Sequence, residues 1–133
     1  TTATNPTAAE EAVAAVKKRI GRSRLVVIAG GYDKGLPVGG FIRALGRRAA
    51  AAVFLPGKAT GKMKEALRKF RKREKRWLET FDARTMREAV RIAHDQARPG
   101  GTVLLSPGAA SFGLFRHEFD RGERFMWEVR KLH

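Results

Sequence analysis

No cysteine occurs in the 133 residues, so no disulfide can staple the fold and no thiolate can ligate a metal or attack a substrate. No apolar run approaches the length that spans a bilayer, and the N-terminus lacks the layout of a signal peptide. The three histidines, His94, His117 and His133, fall at no metal-ligand spacing; they read as surface residues, and no metal site is expected. Acidic residues are few, 13 against 28 Lys and Arg, which leaves a net charge of +15. Internal repeats and low-complexity linkers are also missing. The chain opens on Thr1 rather than Met, so a processed or excised piece of a longer protein is expected.

What is present suits one domain. The length allows a single core and hardly two, and 43% hydrophobic with 31% charged residues is a globular composition. The positive charge is concentrated between Lys58 and Arg76. Such a run attracts nucleic acid, anionic membranes or phosphate-rich partners as a non-specific tendency, and more commonly is a solvated face. Trp77 and Trp127 read as core or interface residues, since no aromatic cluster accompanies the basic run to form a stacking platform.

Along the chain, helix and strand signals alternate. Asn5-Pro6 is a helix start, followed by Ala9, Val13, Val16 and Ile20 on one face and stopped by Gly21. Leu25 to Ala29 is an unbroken aliphatic run, as expected of a strand buried on both faces. After Gly30-Gly31-Tyr32-Asp33-Lys34-Gly35, a second helix is predicted from Leu36-Pro37, with Phe41, Ile42, Leu45 and Ala49 inward. Ala50 to Leu55 reads as a strand, and Thr60 as the cap of a helix that buries Met63, Ala66, Leu67 and Phe70. Trp77 to Phe81 is a weaker strand signal. Thr85-x-x-Glu88 is a capping box, leading a stripe of Met86, Ala89, Val90, Ala93 and Ala97. Pro99-Gly100-Gly101 ends that helix. Thr102 to Leu105 reads as a buried strand, and a last helix stripe is expected at Phe115, Phe119, Gly122, Met126 and Val129. The pattern predicts an α/β fold: a Rossmann-like open sheet, mostly parallel, with helices on both faces.

In such a sheet ligands sit beyond the carboxyl ends of the strands. Two turns leave predicted parallel strands there: Gly30 to Gly35, and Ser106-Pro107-Gly108-Ala109-Ala110-Ser111. Small residues allow close backbone approach, so Gly30, Gly31, Ser106 and Gly108 are candidates for binding an anion through the backbone. Lys34 and the hydroxyl of Ser111 are the candidate side chains, and together they would suit a small carboxylate-bearing molecule. The plainer readings are a solvated lysine and a helix-capping serine.

Three motifs add a resemblance that spans almost the whole chain: Ala3-Thr4-Asn5-Pro6; the strand followed by Gly-Gly-Tyr-Asp-Lys-Gly; and L-L-S-P-x-x-A-S-F with R-G-x-R-F after it. Together they resemble the carboxy-terminal domain of the Mur ligases, and among these the ones that add glutamate. The resemblance implies a Rossmann-like domain, residues 1–133, that binds D-glutamate and closes over ATP held by a central domain. In it Thr4 and Lys34 would hold one carboxylate, and Ser111 the other with the backbone near Glu118 and Phe119. The implied reaction uses ATP and Mg²⁺ to activate UDP-N-acetylmuramoyl-L-alanine as an acyl phosphate, which the glutamate amine attacks. A cytoplasmic, bacterial enzyme is implied, with the N-terminal and central domains outside this chain. Departures from the pattern are Thr2 in place of a lysine, Gly113 in place of an aspartate, and Glu118 at the usual position of an aromatic, with Phe119 beside it and expected to pack in the core. The stretch from Gly57 to Met63 looks like a phosphate-binding loop but has the wrong spacing, and Met63 where Ser or Thr would meet Mg²⁺. Alone, the chain is expected not to turn over ATP. The alternative reading is a basic α/β module binding nucleic acid through the Lys58 to Arg76 region.

Overall fold

The computed structural model describes residues 3–111 and 115–132. Thr2, Phe112 and Gly113, which figure in the motifs above, lie outside the described residues. Among the described residues nine elements follow one another: α1 (Pro6–Ile20), β1 (Leu25–Ala29), α2 (Gly39–Arg48), β2 (Ala51–Phe54), α3 (Lys58–Glu74), β3 (Glu79–Asp82), α4 (Met86–Ala97), β4 (Thr102–Leu105) and α5 (Glu118–Lys131). The strands form one sheet in the order β3-β2-β1-β4, and every pairing is parallel.

Side chains alternate across a strand, so each central strand feeds two cores. Leu25, Val27 and Ala29 of β1, with Ala52 and Phe54 of β2, meet α1, α2 and α3 through Val13, Phe41, Leu45, Met63, Leu67 and Phe70. Val26, Ile28, Ala51 and Val53 face the other way, onto Met86, Ala89, Val90 and Ala93 of α4, with Phe125 and Val129 of α5 at the margin. Both faces of the sheet are therefore covered by the chain's own helices. This is the doubly covered parallel arrangement that the aliphatic run of β1 predicts, and every β1 residue is fully buried.

Local signals hold where the cause is local. Asn5 caps α1 by accepting from the Ala8 N–H at 2.8 Å, with Pro6 behind it. Thr85 caps α4 by accepting from the Glu88 N–H at 3.1 Å.

Other boundaries and faces differ for tertiary reasons. The second helix starts at Gly39, not at Leu36-Pro37, because the Leu36 carbonyl is drawn off to accept from Lys62 Nζ at 2.9 Å. Strand β2 is one residue shorter at each end than Ala50 to Leu55. Thr60 does not cap α3: Gly57 does, and the Thr60 hydroxyl donates to the Leu55 carbonyl from within the first turn. Strand β3 lies at Glu79–Asp82, past Trp77, which is 76% exposed beneath the Arg71 guanidinium rather than in the core. Trp127 is likewise exposed. Strand β4 is half-buried, because the chain order places it at a sheet edge.

The last stripe is out of phase. Phe115 precedes α5 rather than sitting in it, so the helical period runs from Arg121 through Phe125 and Glu128 to Leu132. Phe119 and Met126 consequently face outward, and Phe119 is 62% exposed, not a core residue.

Candidate functional site

The chain runs β1, β2, β3 toward one edge and then returns to place β4 on the far side of β1. Helix α2, which follows β1, packs on one face; α5, which follows β4, packs on the other. The segments leaving the carboxyl ends of these two neighbouring strands therefore diverge, and the gap between them is the usual ligand crevice of an open α/β sheet. Both distinctive turns of the sequence start there.

The turns are sewn together by backbone. Tyr32 and Ala110 form an antiparallel bridge, with Tyr32 N–H to Ala110 O at 3.0 Å and Ala110 N–H to Tyr32 O at 3.2 Å. The Gly30 N–H donates to Pro107 O at 2.9 Å. The segment before α1 joins them through Gly108 N–H to Ala3 O at 3.0 Å, and the buried Ser106 hydroxyl donates to Ala9 O at 3.2 Å. Thr4 is thereby set beside Lys34 and Ser111, although the three are scattered over the chain.

All three line one cavity of about 260 Å³, together with Ala110, His117, Glu118 and Phe119. That is just under the roughly 300–1,000 Å³ of sites for drug-sized ligands, so it suits a small metabolite. Lys34 is exposed and has no ion-pair partner among the described residues, whereas Ser111 is buried at 6% exposure. Phe119 stands at this cavity with its ring edge-on to His117, the centroids 6.0 Å apart. Ser111 does not cap the last helix: His117 does, its Nδ1 accepting from the Asp120 N–H at 3.0 Å. A larger concavity of about 1070 Å³ runs along β4 and α5, but of the predicted residues it contains only Phe119. Its buried carboxylate, Asp120, is already held by the Arg116 N–H at 3.0 Å and by the Arg116 and Arg124 side chains, which keeps its pKa below the usual aspartate range.

Of the four backbone positions expected to bind an anion, three have their N–H groups engaged within the fold. The N–H groups of Gly30 and Gly108 are spent on Pro107 and Ala3, and that of Ser106 on Ile28 O at 3.1 Å. These residues build the crevice, Gly31 among them through its carbonyl, which accepts from the Ala59 N–H at 3.0 Å.

Lys62 is a residue that sequence reasoning missed. Its ammonium reaches from α3 to Asp33 Oδ1 at 3.1 Å and to Leu36 O at 2.9 Å, and Asp33 Oδ1 also accepts from the Gly35 N–H at 2.8 Å. The Gly35 bond first, and Lys62 second, lower the Asp33 pKa. The two clasps pin the loop that carries Lys34, across 29 residues that leave no sequence signal. A depressed carboxylate pKa stabilises the loop above the ordinary aspartate range and is lost as pH falls through the lowered value. Lys62→Met is therefore expected to raise the Asp33 pKa, measured by carboxyl NMR titration, and to speed exchange of the Gly35 amide at neutral pH. An unmoved Asp33 titration would contradict the clasp.

The same contacts remove the phosphate-loop resemblance. In the first turn of α3 the Ala59 N–H is committed to Gly31 O, the Thr60 N–H to Gly57 O, and Lys62 to the Asp33 loop. These residues do not fit a nucleotide phosphate, and among the described residues no cluster of three His, Asp or Glu could hold a metal ion. The basic run is also partly committed: Lys64 to Asp82, Arg68 to Glu65, Arg71 to the Leu78 carbonyl and Arg76 to Arg47 O.

With the geometry in place, comparison with known proteins identifies the lineage. The family model described as "Mur ligase, glutamate ligase domain" matches residues 1–109. The chain belongs to the Mur ligase family. A UDP-N-acetylmuramoylalanine--D-glutamate ligase of Roseiflexus sp. is 44% identical over 122 residues, 92% of this chain and 25% of that protein. A ligase of the same name from Thermoanaerobacter sp. is 36% identical over 129 residues, 97% of this chain and 26% of that protein. The chain thus spans about a quarter of the length of these Mur ligases.

Among solved structures, a domain of a Mur ligase-type protein from Haemophilus ducreyi superposes with a TM-score of 0.62 at 15% identity, covering 98% of this chain and 85% of that one. The murein peptide ligase of Psychrobacter arcticus gives 0.63 at 12% identity, covering 95% of this chain and 26% of that one. These two establish the fold of a Mur ligase domain. Nothing in the matches supports the nucleic-acid alternative for the Lys58 to Arg76 run. Among the described residues, no helix is long and apolar enough to cross a membrane.

Proposed function

We propose that this chain is the glutamate-binding, carboxy-terminal part of a cytoplasmic, ATP-dependent ligase that adds D-glutamate to UDP-N-acetylmuramoyl-L-alanine in peptidoglycan precursor synthesis. The convergence of Thr4, Lys34 and Ser111 on one small cavity supports this reading, in a chain whose relatives carry that reaction in their names. In the proposed pose Lys34 and the Thr4 hydroxyl take one carboxylate of the glutamate. Ser111 takes the other, with the backbone near Glu118 and Phe119. Hydrogen bonds to ionised acceptors are about twice as strong as neutral ones, so two anchors of this kind orient a flexible diacid. The domain's contribution to the reaction is then positional: it presents the glutamate amine to the activated partner carboxyl and removes a costly encounter. In this reading ATP and Mg²⁺ are held mainly by the ligase's central domain.

A titration with D-glutamate, followed by backbone NMR, tests the reading. The amides of Thr4, Lys34 and Ser111 are expected to shift together along one saturating curve, and D-norvaline, which lacks the side-chain carboxylate, to leave Lys34 or Ser111 unmoved. Shifts confined to other parts of the surface would refute it.

A further inference from the structure

Arg121, from the Arg-Gly pair of the closing motif, has no part in the binding roles above, yet it is the largest fully buried side chain among the described residues, 1% exposed. Its Nη1 donates to Ala109 O at 2.8 Å, which ties α5 to the turn that ends at Ser111. Nε and Nη2 are buried with no hydrogen-bond partner among the described residues. Burying a guanidinium without a carboxylate is costly, and such a group ordinarily acquires a salt bridge. The neighbouring carboxylate does not supply one: Asp120 is turned to Arg116 and Arg124. Glu118 is the acid whose field reaches Arg121, and Glu118 lines the glutamate cavity. Desolvation nonetheless outweighs that attraction and lowers the Arg121 pKa to about 10, which leaves it a cation at neutral pH.

Two physical consequences meet here. A carboxylate at Glu118 opposes the entry of a second carboxylate into the cavity, and a cation buried behind the Ser111 turn offsets it in a medium that screens charge poorly. Lys34 serves only one end of the cavity and is in solvent. We propose that Arg121 is a specificity-determining positioning residue: it fixes the Ser111 turn through Ala109 and supplies the positive field that makes this end of the cavity prefer a second carboxylate over a neutral group. The proposal rests on the glutamate reading of the cavity. Arg121 acts through the wall and does not touch the ligand.

The test compares D-glutamate with D-glutamine, which has the same length and no side-chain charge, on the wild-type chain and on Arg121→Met, Arg121→Lys and Glu118→Gln. Arg121→Met is expected to weaken D-glutamate by about tenfold while D-glutamine changes by no more than about twofold, since the lost interaction is with charge. Arg121→Lys keeps the cation and is expected to retain the preference, even with a lower melting temperature. Glu118→Gln is expected to strengthen it. Equal losses for both ligands in Arg121→Met would make the residue merely structural and overturn the proposal. So would a preference left unchanged in that variant, or one lost in Arg121→Lys; the latter decides the matter if Arg121→Met does not fold. A wild-type chain that binds neither ligand would refute the glutamate reading itself, and the proposal with it. A wild type that discriminates, beside an Arg121→Met that discriminates equally, would refute the proposal alone.

Discussion

Lys34→Met is expected to leave the melting temperature unchanged and to weaken D-glutamate binding by about tenfold. The two halves of this expectation have separate causes. Lys34 is exposed, lies in a loop outside every helix and strand, and has no ion pair among the described residues, so the folded state loses little with it. The ligand loses a charge-assisted hydrogen bond, worth about 1.5–3 kcal/mol. Solvent around an exposed ammonium pushes the value to the low end of that range, and about 1.4 kcal/mol corresponds to a factor of ten. Calorimetric melting and an NMR titration of the same sample separate the two. A fall in melting temperature with unchanged binding would assign Lys34 to the fold and remove it from the site.

Gly57→Ala is expected to have the largest effect on stability, about 3 kcal/mol or more, since it combines backbone strain with a clash that cannot relax. Gly57 sits at φ 145°, a conformation that side-chain-bearing residues rarely adopt, and a Cβ built there lies 2.0 Å from the Gly31 carbonyl oxygen. That oxygen is fixed by the Ala59 N–H, so it cannot move without opening the first turn of α3. Gly31 lies in the turn that carries Lys34, so binding should fall along with stability. For a chain of this size the loss corresponds to a melting temperature lower by about 10 °C. Gly61→Ala is the control: it lies in the helix that Gly57 caps, with no described atom within 4 Å of the added methyl, and is expected to be neutral or stabilising by about 0.5–1 kcal/mol. Equal effects at the two positions would show that helix propensity, not the contact with Gly31, governs this region.

How much of this was legible in the sequence follows from the range of each interaction. Asn5-Pro6, Thr85-x-x-Glu88 and the aliphatic run of β1 are read correctly, because caps and a doubly buried strand are written within a few residues. The start of α2, the cap of α3 and the phase of α5 are misplaced, because each is decided from a distance. Lys62 pulls on Leu36, Leu55 takes the Thr60 hydroxyl, and Arg121 and Glu128 occupy buried positions of α5 while Phe119 faces outward. A polar residue at a core position runs against the hydrophobic pattern, so periodicity alone selects the wrong face.

The candidate site divides in the same way. The spacing of its turns predicts that two loops meet at one sheet edge. That they are neighbours depends on β4 lying beside β1, which no local feature of either strand dictates. Thr4 entered through the family resemblance and not through any chemistry visible around it. Open turns and closely packed turns share the same glycine-rich composition, so the sequence does not reveal the hydrogen bonds from Gly30 to Pro107 and from Gly108 to Ala3.

The central claim is that one cavity at the β1–β4 switch point grips both carboxylates of glutamate, and a crystal structure of this chain grown with D-glutamate tests it most directly. The account predicts one carboxylate within hydrogen-bond reach of Lys34 Nζ and the Thr4 hydroxyl, and the other at the Ser111 hydroxyl. Glutamate bound only in the groove along β4 and α5, or held in the cavity by a single carboxylate with the other in solvent, would contradict it.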